Sequence, residues 1–297
     1  DLTFATALVA VSGSLGIIIP PSIPYIMYCN ASGASISELF LAGFLPGVLI
    51  ALCLMVYSYI YCKIHGEDKD KLNAKCMELR AKGLGTVLKE GFWALMSPVI
   101  ILGGIYGGIC SPTEAATISI FYSLIVSLFI YRTIKIRDLP KIMLEGIHSY
   151  APILIILSAA VAFARVITLM NVATIVSEAV LSAISSKVVI LLLINVLLLF
   201  VGMIMDTGPA ILVFTPVLLP VAEAIGVDPI HFGIIMCVNL AIGFVTPPMG
   251  ANLFVASNLS KVSVFDIARK AVPFILAFLI ALLLITFVPQ ISMFLLQ

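Results

Sequence analysis

The sequence predicts an all-α polytopic membrane protein built on an inverted repeat, with broken helices and a re-entrant hairpin. Three observations predict it: an apolar composition arranged in membrane-length runs, a one-sided distribution of basic residues, and a doubled-proline motif that recurs at a fixed interval. Apolar residues make up 62% of the chain and charged residues 10%, and the mean hydropathy is +1.22. A soluble domain carries about 25% charged residues, so this chain cannot cover a water-facing surface. Runs at 39–61, 115–131, 188–205 and 272–288 approach or exceed the roughly 20 residues that cross a ~30 Å hydrocarbon core. The lipid bilayer is thus the first partner. A net charge of +1 points to no nucleic acid.

The segments follow in order. A broken one covers 2–28; 39–61, 92–109, 115–131 and 152–170 come next. An apolar pair, 188–205 and 209–222, is separated only by Asp206-Thr207-Gly208, and 230–259 (again broken) and 272–294 close the chain. Lys and Arg mark the cytoplasmic side. The loop 63–89 holds seven of the sixteen, 132–141 holds four, and Lys261, Arg269 and Lys270 lie between the last two spans. With the first loop inside, the crossing count puts all three inside; only Arg165 and Lys187 fall elsewhere. The pair around Asp206 reads as a hairpin entering and leaving on one side, with two full crossings as the alternative of equal parity. Irregular backbone at membrane depth needs protein or a water-filled cavity around it, and a three-residue tip with an acid and Gly-Pro fits such a place. The mixed-charge segments 63–91 and 136–149 read as amphipathic interfacial helices, or else as solvated loops. The chain opens at Asp1 in an apolar run with no basic leader, which reads as a fragment lacking an N-terminal part.

The third observation carries the functional reading. Leu15-Gly16-Ile17-Ile18-Ile19-Pro20-Pro21 and Ile242-Gly243-Phe244-Val245-Thr246-Pro247-Pro248 share the pattern aliphatic-Gly-x-x-x-Pro-Pro, 227 residues apart. Pro46 and Pro273 keep the same interval, so the match extends beyond one motif. The crossing count runs the first segment from inside to outside and the second from outside to inside, which makes them inverted repeats of the secondary-transporter kind. Each Pro-Pro removes two backbone donors and clashes with the preceding turn, and the residue before it leaves helical geometry. Freed carbonyls and facing helix ends suit a cation. The flanking Ser12, Gly13, Ser14 and Ser22, and Asn239, Thr246, Gly250 and Asn252, are neutral, oxygen-bearing or small, which favours Na⁺ over a proton relay. Asp206 reads equally as the N-cap of the following helix or as charge for an ion site. Glu114, in Ser111-Pro112-Thr113-Glu114, reads as a helix-start residue. Arg165 snorkels outward, with a substrate-carboxylate contact as the alternative. Six scattered cysteines and three scattered histidines show no disulfide or metal spacing.

At Gly16–Pro24, Glu38–Gly47 (ELFLAGFLPG), Ser111–Ala116 (SPTEAA), Met205–Pro220 (MDTGPAILVFTPVLLP) and Gly243–Phe254 (GFVTPPMGANLF), the sequence resembles the large membrane (M) subunit of tripartite ATP-independent periplasmic (TRAP) transporters. The resemblance implies a bacterial inner-membrane, multi-pass protein working with a small membrane subunit, separate or fused, and a periplasmic substrate-binding protein. It implies Na⁺-driven import of an organic acid, of sialic acid or C4-dicarboxylate type, by an elevator motion. The implied transport elements are 1–28 and 188–260, the latter comprising hairpin 188–222 and broken helix 230–259. The implied scaffold is 29–187 together with the C-terminal helix in 261–297. The implied Na⁺ and substrate region comprises Ser12, Gly13, Gly16, Pro20 and Ser22 at the first break. At the tip it comprises Gly202, Asp206 and Thr207, and at the second break Gly243, Val245, Thr246, Pro247 and Gly250. A first-repeat hairpin would lie in sequence before Asp1.

Competing readings are a stand-alone Na⁺-coupled dicarboxylate or citrate carrier of inverted-repeat type, a channel, and an enzyme. The last lacks any His-Glu-x-x-His, Gly-x-Ser-x-Gly or P-loop motif.

Overall fold

A computed structural model describes residues 1–66, 76–77 and 83–296, and among them every regular element is helical. Two compact units emerge, Asp1–Ser58 with Ile153–Gln297, and Tyr59–Pro152. Among the described residues seven helices are long and apolar enough to cross a membrane, in keeping with a multi-pass membrane protein. About half of the segment expected as an interfacial helix at 63–91, namely 67–75 and 78–82, falls outside the described residues.

The larger unit begins with a broken segment. Helix α1 (Leu2–Gly13) tightens into a 3₁₀ turn at Ser14–Ile17, the Pro20-Pro21 pair follows with a cis peptide, and α2 (Ile23–Ser32) resumes. Ser22 starts α2: its hydroxyl accepts from Tyr25 N (3.5 Å) and donates to the Ile17 carbonyl (2.5 Å). Helix α3 (Ile36–His65) carries Pro46 inside it and packs on α2 at Gly43 and on Ile19 of the break at Gly47. A methyl at Gly43 would sit 2.5 Å from the Tyr25 ring, so only hydrogen lets the fully buried Tyr25 lie there.

The smaller unit contains α4 (Leu84–Tyr106) and α5 (Pro112–Ile125), which ends in a π turn at Val126–Ile130. Ser111 and Glu114 form a capping box: Ser111 Oγ accepts from Glu114 N (3.4 Å), and Glu114 Oε2 accepts from Ser111 N (2.8 Å). The helix-start reading of Glu114 is thereby seen in the geometry; such caps contribute about 1 kcal/mol. Tyr122 and Tyr131 tie α5 to α4 by donating to the carbonyls of Trp93 (2.7 Å) and Glu90 (2.5 Å).

Helix α6 (Leu139–Leu169) differs from expectation. The segments 136–149 and 152–170 are one continuous helix with Pro152 inside it. Proline disfavours helix in the residue before it, yet membrane helices tolerate such kinks because neighbouring groups satisfy the freed backbone. Asn171 then turns the chain in a left-handed conformation (φ 54°) into α7 (Val172–Ala183), a helix the sequence reading left unassigned. It packs on α9.

Helices α8 (Lys187–Ile204) and α9 (Thr207–Ala224) form the pair joined at Met205-Asp206. Their far ends lie together, since Lys187 Nζ donates to the Gly226 carbonyl (3.1 Å). Next come α10 (Pro229–Gly243), a second Pro-Pro break with a cis peptide, and α11 (Ala251–Ser260). Asp228 caps α10 by accepting from Ile230 N (2.8 Å) and His231 N (3.3 Å), and Pro229 occupies the first turn, where its missing N–H costs nothing. Every residue from Ile230 to Gly243 is buried. A helix apolar all round belongs in a core, and α10 is that core, packed by α8, α9, α2 and α12 (Val264–Phe287). A short α13 (Gln290–Met293) follows.

Four contacts set the directions. Tyr28 Oη, near the end of α2, donates to Pro229 O at the start of α10 (2.6 Å), while Asn252 Nδ2 at the start of α11 reaches back to Ala10 O in α1 (3.1 Å). The two broken segments therefore run antiparallel. Asp1 and Lys270 form an ion pair (3.4 Å) and the rings of Phe4 and Phe274 lie 5.4 Å apart, so α1 and α12 start side by side.

Candidate functional site

The second break builds a cavity with the α8–α9 tip. After α10, three successive bonds of the tighter i→i+3 kind (Phe244 N to Ala241 O, Val245 N to Ile242 O, Thr246 N to Gly243 O, 3.1–3.3 Å) narrow the helix before Pro247-Pro248 ends it. The first break tightens in the same way at Ser14–Ile17. None of the described hydrogen bonds ends on the carbonyls of Val245, Pro247 or Pro248. Thr246 Oγ1 donates to Ile242 O (2.7 Å), which leaves its oxygen lone pairs open.

The tip is fastened to this break by backbone. Met249 N donates to Met203 O (3.3 Å). Gly202 and Gly243 meet so closely that a methyl on Gly243 would lie 2.1 Å from Gly202 O and 2.7 Å from its Cα. Asp206 N-caps α9, its carboxylate accepting from Thr207 N (2.8 Å), and also faces the cavity. That cavity has a volume of about 130 Å³ and is lined by Gly202, Asp206, Gly243 and Gly250, together with Ile204, Met205, Phe244, Met249 and Ala251. Four of the expected site residues thus come together. Val245, Thr246 and Pro247 form the adjoining turn, and Thr207 is buried at the first turn of α9.

The first break lies across from it, without a comparable clasp. Ser12, Gly13 and Gly16 are exposed, and Ser12 Oγ bonds only Val9 O within its own helix (3.1 Å). Pro20 is buried, and Ser22 is occupied as a cap. What joins the two breaks is Asn252, whose Nδ2 donates to Ala10 O and to the buried Ser14 Oγ (3.3 Å). The sequence marked Asn252 only as a polar flank, because a contact 242 residues away leaves no local signal.

A second polar feature was not foreseen. Fully buried Asn239 donates to Asn195 Oδ1, and Asn195 Nδ2 donates to Thr286 Oγ1 (3.3 Å) and Leu191 O (2.9 Å). This ladder joins α8, α10 and α12, one turn from the Gly202–Gly243 contact along α10 and two turns from it along α8. Among the described residues no cluster of three or more His, Cys, Asp or Glu could hold a metal, so the oxygen donors at the breaks are carbonyls, hydroxyls and the single Asp206 carboxylate.

The family described as "Tripartite ATP-independent periplasmic transporter, DctM component" matches residues 1–291. This chain belongs to that family. Among its relatives is the isethionate TRAP transporter permease protein DctMQ of Oleidesulfovibrio alaskensis, 44% identical over 98% of this chain and 45% of the relative. The C4-dicarboxylate TRAP transporter large permease protein DctM of Pseudomonas aeruginosa is 38% identical over 98% of this chain and 66% of the relative. The sialic acid TRAP transporter large permease protein SiaM of Vibrio cholerae is 35% identical over 98% and 67%. The chain spans about half to two thirds of the length of these relatives. In this DctM-family chain four of the stretches that carried the resemblance fall at structural junctions, namely the two breaks, the α8–α9 tip and the α5 cap, and the fifth, Glu38–Gly47, lies within α3.

Proposed function

We propose that this chain forms the second-repeat core of a large TRAP permease that imports an organic acid, coupled to Na⁺ and fed by a periplasmic substrate-binding protein. The observation that carries the reading is the tip–break junction. A hairpin tip is fixed to a Pro-Pro break through Gly202 and Gly243, beside carbonyls that no described donor reaches, within antiparallel broken segments. Na⁺ is a hard cation that oxygen donors serve, and the helix ends flanking a break turn their dipoles toward it. Val245, Thr246 and Pro247 would supply carbonyl and hydroxyl oxygens, and Asp206 the charge. The substrate carboxylate would lie alongside, at the cavity lined by Gly202, Gly243 and Gly250.

The moving body in this reading holds both broken segments and the α8–α9 hairpin, entering and leaving from one side. We add α12 to it, although the sequence reading placed that helix in the scaffold. The Asn195–Thr286 bond and the Phe4–Phe274 contact tie α12 to α8 and α1, and buried polar bonds favour joint motion over sliding. An elevator step then carries the junction as one piece. A small membrane subunit, fused in the DctMQ relative by its name, completes the assembly.

The test is uptake into proteoliposomes holding the permease, its small subunit and its binding protein, with and without an inward Na⁺ gradient. Uptake should require both the gradient and the binding protein, and Thr246→Ala should raise the Na⁺ concentration for half-maximal rate. Uptake of free substrate at full rate without the binding protein would replace this reading with the stand-alone carrier.

A further inference from the structure

At the end of the larger unit opposite Arg269 and Lys270, the starts of α8 and α10 meet the end of α12 around a cavity of about 380 Å³. Helix α12 has 24 residues, a rise of about 36 Å, against a hydrocarbon core of ~30 Å. With its basic start at one interface, its end at Thr286 and Phe287 reaches the headgroup layer of the other, and so does the cavity.

Two opposite charges face this cavity. Lys187 is held there by its bond to Gly226 O. Asp228 takes both amides of its cap on Oδ1, and no described bond reaches Oδ2. The walls between them are mostly apolar, from Leu191, Val227 and Phe287, with His231 and Thr286, bonded to each other through the Thr286 carbonyl, as the remaining polar lining. Below the cavity, Leu192 and Val196 on α8 and Ile280 and Leu283 on α12 are exposed, so two apolar faces continue from it along the bilayer.

We propose that this cavity binds the head group of a zwitterionic, ethanolamine-type phospholipid, the phosphate on Lys187 and the ammonium on Asp228, with acyl chains along α8 and α12. The opposed charges match a phosphate and an amine a few bonds apart. An organic-acid cargo would meet Asp228 as a like charge and would have no use for the apolar faces. The inference stands on the membrane location of the chain and is independent of the transport reading.

The experiment uses detergent-purified, delipidated protein, with melting temperature followed as lipid is added and retained lipid counted by native mass spectrometry. Phosphatidylethanolamine should raise the melting temperature and be retained in preference to phosphatidylglycerol. Lys187→Gln, at an exposed side chain, should weaken it about tenfold, the worth of one charge-assisted hydrogen bond. Asp228→Asn keeps a competent helix cap and should abolish the preference for ethanolamine over glycerol. Val188→Trp fills the mouth from a half-exposed position and should reduce retention without touching the core. The proposal is overturned by equal retention in all three variants, by equal binding of the two lipids to the unaltered protein, or by glycerophosphoethanolamine or succinate raising the melting temperature as much as the lipid does.

Discussion

The two Pro-Pro breaks share a motif, a 3₁₀ approach and a cis proline, yet their surroundings differ. A methyl on Gly243 would collide with the backbone of Gly202, whereas the matched position, Gly16, has nothing within 4 Å. The motif therefore fixes how the chain opens, and a neighbour decides whether the opening becomes a cavity. At the second break that neighbour is the α8–α9 tip, bound through Met203 and Met249. At the first, the Asn252 amide reaches α1 from the other repeat, and Ile19 packs on Gly47 of α3, with no such backbone clasp at Gly16.

The comparison can be broken at single residues. Gly243→Ala should have the largest effect. Its methyl meets a carbonyl and an α-carbon, neither of which can rotate away, so the tip must shift; overpacking of this kind costs about 1–3 kcal/mol or more. Na⁺-driven uptake by the assembled permease should fall at least about tenfold, with a lowered melting temperature. Gly202→Ala should cost less, about 1 kcal/mol, since its methyl would sit 3.2 Å from Leu240 Cα, a distance a small adjustment relieves. Asn252→Ala removes its two bonds to the first broken segment and should destabilise by about 1–2 kcal/mol, read from denaturant or thermal melts, with uptake reduced and Na⁺ affinity nearly unchanged. Gly16→Ala should be smallest, neutral to about 0.5 kcal/mol in melting. An uptake loss at Gly16 matching that at Gly243 would show that the first break is also clasped in the assembled permease.

Much of this was legible in the chain. The doubled prolines, the glycines before them and the 227-residue interval located both breaks, because backbone interruption is dictated by residue type alone. Ser111-Pro112-Thr113-Glu114 gave its capping box for the same local reason. Local rules failed where neighbours overrule them. Pro152 suggested a boundary that α6 runs through, and α7 lacked a conventional N-cap because its start is a left-handed Asn171. Asp206 could be read two ways from sequence; the structure has it both capping α9 and facing the cavity, since one carboxylate oxygen can serve Thr207 N while the group borders open space.

By itself, then, the sequence determined the membrane location, the inverted pair of breaks and the family, all of which follow from composition, charge count and short-range backbone chemistry. Only the tertiary structure decided that Gly202 lies on Gly243, that Asn252 joins the repeats and that Asn195 binds Thr286 across 91 residues. Contacts of that kind depend on how buried helices pack in three dimensions, and helical periodicity alone does not specify which faces meet.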